Sequence, residues 1–233
     1  MDGEKGIKLR LVAGKDLTSE EREEVVALCD LAYEEDMGAI IRQFVDPVHV
    51  LGFLNKQLVC HALWITRYLQ PEGLPLLRTA YVEAVATHPD YQHGGFASAI
   101  MHRVVEEIQD FDIAGLAPFS VDYYARLGWE LWRGPLYERR QEGLVSSLPE
   151  DELMIYRLLK TPALDLDAPI SVEWREGVWS GIEWIGGDVL GLLFQALWTL
   201  EGRMRSLVCE GIHWRLDQDQ GSPKLSGEWR VQE

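Results

Sequence analysis

The run Tyr81-Val82-Glu83-Ala84-Val85-Ala86-Thr87 alternates as a strand, passes through His88-Pro89-Asp90-Tyr91-Gln92-His93-Gly94-Gly95, and opens a helical pattern at Phe96-Ala97-Ser98. A strand delivered through a glycine turn to a helix has few places to go: the helix crosses back over the sheet, and the next strand, expected at 113–117, lies parallel to the first. The turn also has chemical meaning. The first amides of a helix lack intrahelical acceptors and sit at the positive end of its dipole, so a diphosphate fits there.

The remaining elements are consistent with a mixed α/β sheet. Residues 7–13 alternate as a strand, Thr18 or Ser19 caps a helix whose apolar face includes Val25, Leu28 and Cys29, and 36–44 suggests a second short helix. Strands at 48–54 and 57–68 form a hairpin about Asn55-Lys56. After the strand at 77–87, the pattern predicts a helix at 94–109, a strand at 113–117, a helix at 120–127, and final strands at 129–138 and 153–159. Residues 141–151 and 161–169 read as connections. A different unit follows. Asp188 can cap a helix to about Cys209, and alternation over 212–216 and 225–231 suggests a hairpin, so the chain is divided into a domain at 1–179 and an extension at 180–233.

Charge narrows the partners. With 22 basic against 38 acidic residues the net charge is −16, which opposes nucleic acid and favours a cationic acceptor. Three well-separated cysteines, Cys29, Cys60 and Cys209, suit neither a disulfide framework nor a zinc site, and His88, His93 and His102 share no ligand spacing, so no metal is expected. No apolar run approaches the ~20 residues of a membrane span, and the first residues lack the pattern of a signal peptide. The expectation is a cytoplasmic protein.

The alternating strand, the Gln-x-x-Gly-x-Ala run at Gln92, Gly95 and Ala97, and the Tyr-x-x-x-Gly-Trp run from Tyr124 to Trp129 resemble the GCN5-related N-acetyltransferase (GNAT) superfamily. Tyr81-Val82-Glu83-Ala84-Val85-Ala86 and Glu173-Trp174-Arg175-Glu176-Gly177-Val178-Trp179 resemble its aminoglycoside 2'-N-acetyltransferase branch. The resemblance spans residues 5 to 179. It implies a GNAT-like mixed twisted sheet flanked by helices, followed here by a helix-plus-hairpin extension. Its implied activity is acetyl transfer from acetyl-CoA to a primary amine of a small cationic acceptor, with an aminoglycoside-like amino-sugar as one candidate.

Roles follow from that resemblance. Val85, Ala86 and Thr87 would line the pantetheine arm, with the Val85 amide polarising the thioester carbonyl; Gln92, His93, Gly94, Gly95, Phe96, Ala97 and Ser98 would hold the diphosphate. Tyr124 would protonate the departing thiolate, although a shift of one position would substitute Tyr123. Glu83 would accept a proton from the acceptor amine or hold it; as a residue alone it reads either as a solvated edge group or as a partly buried acid, with Val82 and Ala84 facing the opposite side. Asp36, with Glu34 and Glu35, marks either the acceptor wall or a solvated helix end, and Trp179 would contribute to the acceptor site, but here the chain continues past it. The aromatic-rich extension suggests a homodimer or a lid. Two other readings share the fold: an acyl-CoA-binding sensor without catalysis, and a transferase acting on protein or peptide amines.

Overall fold

The computed structural model describes residues 6–147 and 151–175, all within the first of the two units, Met1–Glu183 and Trp184–Glu233, into which the chain divides. Trp179 and the helix and hairpin expected over 188–231 lie outside the described residues.

Strand β1 (Lys8–Ala13) pairs antiparallel with β2 (Val48–Leu54). Between them, helix α1 (Ser19–Tyr33) is started by Thr18: its hydroxyl accepts the Glu21 amide at 3.2 Å, and the Glu21 carboxylate accepts the Thr18 amide at 3.0 Å. Val25, Leu28 and Cys29 form its buried stripe, and Glu34 ends it in the left-handed region. The short α2 (Gly38–Ile41) follows. Strand β2 turns into β3 (Gln57–Pro71) through Asn55 and Lys56, both with positive φ (51° and 70°), the two-residue hairpin that strand twist favours.

Strand β3 pairs with β4 (Leu77–Thr87), and β4 runs parallel to β5 (Ile113–Leu116) after the crossover through α3 (Phe96–Glu107). Helix α4 (Val121–Ala125) follows β5. Thereafter come β6 (Glu130–Leu131), β7 (Leu136–Arg140), β8 (Gly143–Ser146), β9 (Met154–Arg157) and β10 (Ile170–Glu173). The main path of the sheet is β6-β9-β5-β4-β3-β10-β7-β8, with β1 and β2 joined at β3.

This C-terminal part departs from the sequence expectation. The single strand expected at 129–138 is two, because Gly134 and Pro135 carry the chain from one end of the sheet toward the other. The expected connection at 141–151 contains β8, and β10 was not anticipated. A four-residue strand has little pattern of its own; β10 is held by β3 on one edge and β7 on the other, and Arg139 donates to the Ser171 carbonyl at 2.6 Å.

Gly134 is a close-approach site. A methyl group there would lie 2.0 Å from the Ala168 carbonyl oxygen, in backbone whose position is set by Arg133 and Gly134 amides donating to Leu166 O and by Trp132 Nε1 donating to Ala168 O. Gly134→Ala is therefore expected to destabilise the fold by at least roughly 1–3 kcal/mol, measured by urea unfolding.

Two apolar cores lie on opposite faces of the sheet. Leu63, Ile65 and Tyr81 belong to the core that α1 covers, with Val25, Leu28 and Cys29; Ala62, Trp64, Ala80 and Val82 belong to the α3 core, with Ile100, Met101 and Val104. Period-two alternation on β3 and β4 accounts for this division up to Glu83. Beyond Glu83 it fails: Ala84 and Ala86 join the α1 core, the same face as Tyr81. Val82 and Ala84, expected on one side, are on opposite sides.

Candidate active site

The reason is a β-bulge. His61 pairs with Ala86 and Leu63 with Glu83, so the single residue Ala62 faces both Ala84 and Val85, and Ala84 takes φ +49°. Pairing between β4 and β5 covers only Thr79–Tyr81 with Ile113–Gly115. Past Tyr81 the two strands part, and among the described residues the edge of β4 from Val82 to Thr87 has no strand partner on that side. An extended ligand can pair there as an added strand.

Glu83 stands at the mouth of this gap. It is partly buried, its Oε1 atom is enclosed with no hydrogen-bond partner among the described residues, and burial pushes its pKa up to about 8 against a smaller downward pull from Arg67. Of the two readings of this acid, the structure gives the enclosed one. Arg67 is fully buried on β3, donates to the Glu173 carbonyl at 2.7 Å, and lies over the Tyr81 ring at 5.1 Å. Next to it an open depression is lined by Arg67, Tyr81, Tyr137, Asp151 and Glu152. Asp151 and Glu152 share this lining with the Arg67 guanidinium.

Tyr124 is 2% exposed, its ring set edge-on against Trp129. Burial raises its pKa, and the neighbouring Tyr123 and Glu83 raise it further. A phenol from the α3 core and a carboxylate from the α1 face thus lie within electrostatic reach across the β4–β5 gap. Tyr123 turns elsewhere: its hydroxyl is 3.4 Å from Ser98 Oγ, at the start of α3. Tyr33 closes the other side, its hydroxyl donating to the Val85 carbonyl at 3.2 Å.

The turn before α3 is built for close approach. His93 (φ +63°) and Gly95 (φ +80°) are both left-handed, a Cβ on Gly94 would come within 2.7 Å of the Phe96 ring, and α3 begins at Gly95 with no side-chain cap and no acid in its first turn. The leading amides of α3 are left for an external acceptor. Thr87 Oγ1, on the unpaired edge of β4, is likewise buried without a partner.

The remaining sites group less tightly. Asp36 accepts the Gly38 amide at 3.1 Å, so part of its carboxylate is engaged in starting α2. Gln92 links the short 3-10 turn Pro89–Tyr91 to this loop. Sequence reasoning passed over Tyr33, His61, Arg67 and Asp151. His61 and Arg67 left the same signal, a polar side chain inside the largely apolar strand run 57–71.

A family model for the Acetyltransferase (GNAT) domain matches residues 14–132. The chain belongs to the GNAT family. It is 30% identical over 183 residues to an aminoglycoside 2'-N-acetyltransferase from Mycolicibacterium fortuitum, covering 73% of this chain and 91% of that relative. A GNAT family N-acetyltransferase from Escherichia coli, solved in complex with CoA, shares the fold with TM-score 0.54 at 14% identity, over 76% of this chain and 95% of that one. A probable N-acyltransferase from Enterococcus faecalis matches with TM-score 0.46 at 20% identity, over 56% of this chain; this chain spans about a third (33%) of that neighbour.

GNAT proteins are acyltransferases that use acetyl-CoA. The residues present fit that co-substrate: uncapped leading amides of α3 behind Gly94 and Gly95 for its diphosphate, and a strand edge unpaired among the described residues for its arm. Among the described residues no group of three or more His, Cys, Asp or Glu side chains could hold a metal, and no helix is long and apolar enough to cross a membrane.

The turn yields a direct test. Ala97→Asp places a carboxylate in the first turn of α3, where it favours the helix dipole yet repels a diphosphate. Coenzyme A affinity is expected to fall at least about 10-fold by calorimetry, with no drop in Tm.

Proposed function

We propose that this GNAT protein transfers the acetyl group of acetyl-CoA to a primary amine on a small cationic acceptor, an amino-sugar of the aminoglycoside kind. The observation that carries this reading is Glu83: an acid on the unpaired stretch of β4, with an enclosed oxygen that has no hydrogen-bond partner among the described residues and a pKa near 8, in the field of Arg67, which lines the depression.

The chemistry follows from the placement. An acceptor arrives as an ammonium ion, drawn by the −16 net charge and by Asp151 and Glu152. Glu83, once ionised, takes its proton directly or through water, and the free amine attacks the thioester carbonyl while the Val85 amide steadies the developing oxyanion. As the C–N bond forms and the C–S bond breaks, Tyr124 gives its proton to the sulfur; the second proton of the attacking nitrogen passes through water to the Tyr124 phenolate, and Glu83 releases the first to solvent. A phenol with a raised pKa remains protonated at neutral pH and is suited to that task. The acetylated amine and coenzyme A then leave.

Supporting the amino-sugar acceptor are the relative's own activity and the two carboxylates, Asp151 and Glu152, in the depression that Arg67 also lines. Thiol release from acetyl-CoA should be measured with aminoglycosides bearing a 2'-amine, polyamines and short peptides. Turnover confined to amino-sugars is the expected result. Turnover of peptides alone would replace the acceptor, and coenzyme binding with no turnover of any amine would favour the sensor reading.

A further inference from the structure

Behind the bulge, on the α1 side of the sheet, three side chains form a buried file that the reaction scheme above does not use. His61 Nδ1 is 2.8 Å from the Ala84 carbonyl oxygen, His61 Nε2 is 2.9 Å from His49 Nδ1, and Cys29 Sγ is 3.7 Å from His61 Nδ1. His61 is 0% exposed and His49 2%.

The tautomers follow by elimination. A carbonyl oxygen only accepts, so His61 Nδ1 carries the hydrogen; its Nε2 is then bare and accepts from His49 Nδ1–H. Burial holds both rings in their neutral forms, pushing His61 down to about 3 with help from His49, and His49 down to about 4 with help from Arg22. Burial pushes the Cys29 thiol up to about 12, with Asp30 adding to the rise, so the sulfur remains a thiol beside the Nδ1–H.

The bulge needs such a support. Ala84 carries a side chain in the left-handed region, a strained conformation that persists only where its surroundings over-determine it. Its carbonyl has turned out of the β3–β4 ladder and is paid off by the imidazole instead, while the next carbonyl, Val85 O, is taken by Tyr33. If Ala84 relaxed to an extended conformation, the alternation of β4 would shift by one residue. Either Glu83 would leave the α1 face, or Ala84 and Ala86 would.

We propose that His61 is a positioning residue for acetyl transfer: its Nδ1–H pins the Ala84 carbonyl, keeps the bulge in place, and so holds Glu83 and the Val85 amide at the thioester. This rests on the acetyl-transfer reading. His49 fixes the tautomer of His61 from behind. The diphosphate grip at α3 is independent of the pin, so its loss should act on kcat rather than on acetyl-CoA affinity.

The test uses the full chain. His61→Leu removes the donor, whereas His61→Asn restores an N–H close to the Nδ1 position. His61→Leu is expected to lower kcat at least about 30-fold with the KM for acetyl-CoA within about 5-fold, and His61→Asn to recover kcat to within about 5-fold of wild type. A His61→Leu kcat within about 3-fold of wild type, or an Asn variant that melts normally and is no better than Leu, would overturn the proposal. Should both variants fail to fold, ¹⁵N spectra of the wild-type imidazoles decide: neutral His61 protonated at Nδ1 supports the pin, and protonation at Nε2 overturns it. That measurement needs no turnover. A wild-type protein that acetylates no amine would remove the proposed function, and the spectrum would still decide the pin.

Discussion

Tyr124→Phe is expected to lower kcat by about 10²–10³-fold, with the KM for acetyl-CoA changed by less than about 3-fold. The substitution deletes one hydroxyl from a ring that is otherwise buried against Trp129, so packing and coenzyme binding should survive. What disappears is the proton for the thiolate. Steady-state kinetics with the best acceptor from the amine panel would measure it, and Tyr123→Phe serves as the control. Tyr123 faces Ser98 at the diphosphate turn, so its loss should raise the KM for acetyl-CoA modestly and leave kcat nearly intact. An inactive Tyr123→Phe beside an active Tyr124→Phe would reverse the assignment.

Glu83→Gln should reduce kcat/KM by about 10²-fold or more and remove the rise of the wild-type rate with pH. Because the acid must be ionised to accept a proton, the wild-type profile should climb toward a plateau above pH about 8. The same group shapes stability. Its folded pKa of about 8 exceeds the ordinary 4.5, so the folded state holds a proton that the unfolded chain has released, and the stability this provides is lost as pH rises from 4.5 to 8. His49 and His61 act oppositely. Their folded values, about 4 and about 3 against 6.5, make the unfolded chain the better proton acceptor below 6.5, so stability falls as the solution is acidified.

Between pH 4.5 and 6.5 the two histidines outweigh the single glutamate, and above 6.5 the glutamate acts alone. These three groups therefore place a stability maximum near pH 6.5. Urea unfolding at pH 5, 6.5 and 8.5 should show it, and Glu83→Gln should flatten the decline above 6.5. A decline that persists in the variant would mean that another group sets it.

Much of the fold was legible because it depends on local chemistry. The Thr18 cap, the Asn55-Lys56 turn and the strand-turn-helix from Leu77 to Glu107 all declare themselves in neighbouring residues. Strand β10 and the break at Gly134 do not, since each is decided by a segment distant in sequence: β10 by β3 and β7, Gly134 by Ala168. The site divides the same way. Glycines and an uncapped helix start are visible in the sequence, whereas Arg67, Tyr33 and His61 become meaningful only when β3 and α1 are laid against β4.

By itself, the amino-acid sequence determined a mixed sheet with a glycine turn leading into an uncapped helix, because strand alternation, helix starts and glycine turns are set by near neighbours; the acid and the phenol came from the family resemblance. Only the tertiary structure decided which tyrosine is buried within reach of the acid's charge, which side of β4 the acid occupies, and what lies behind the bulge that follows it. The offset between β3 and β4 is one residue long. A one-residue offset leaves local propensity unchanged yet moves every side chain beyond it to the other face, so it is set by pairing across the sheet and by a buried histidine.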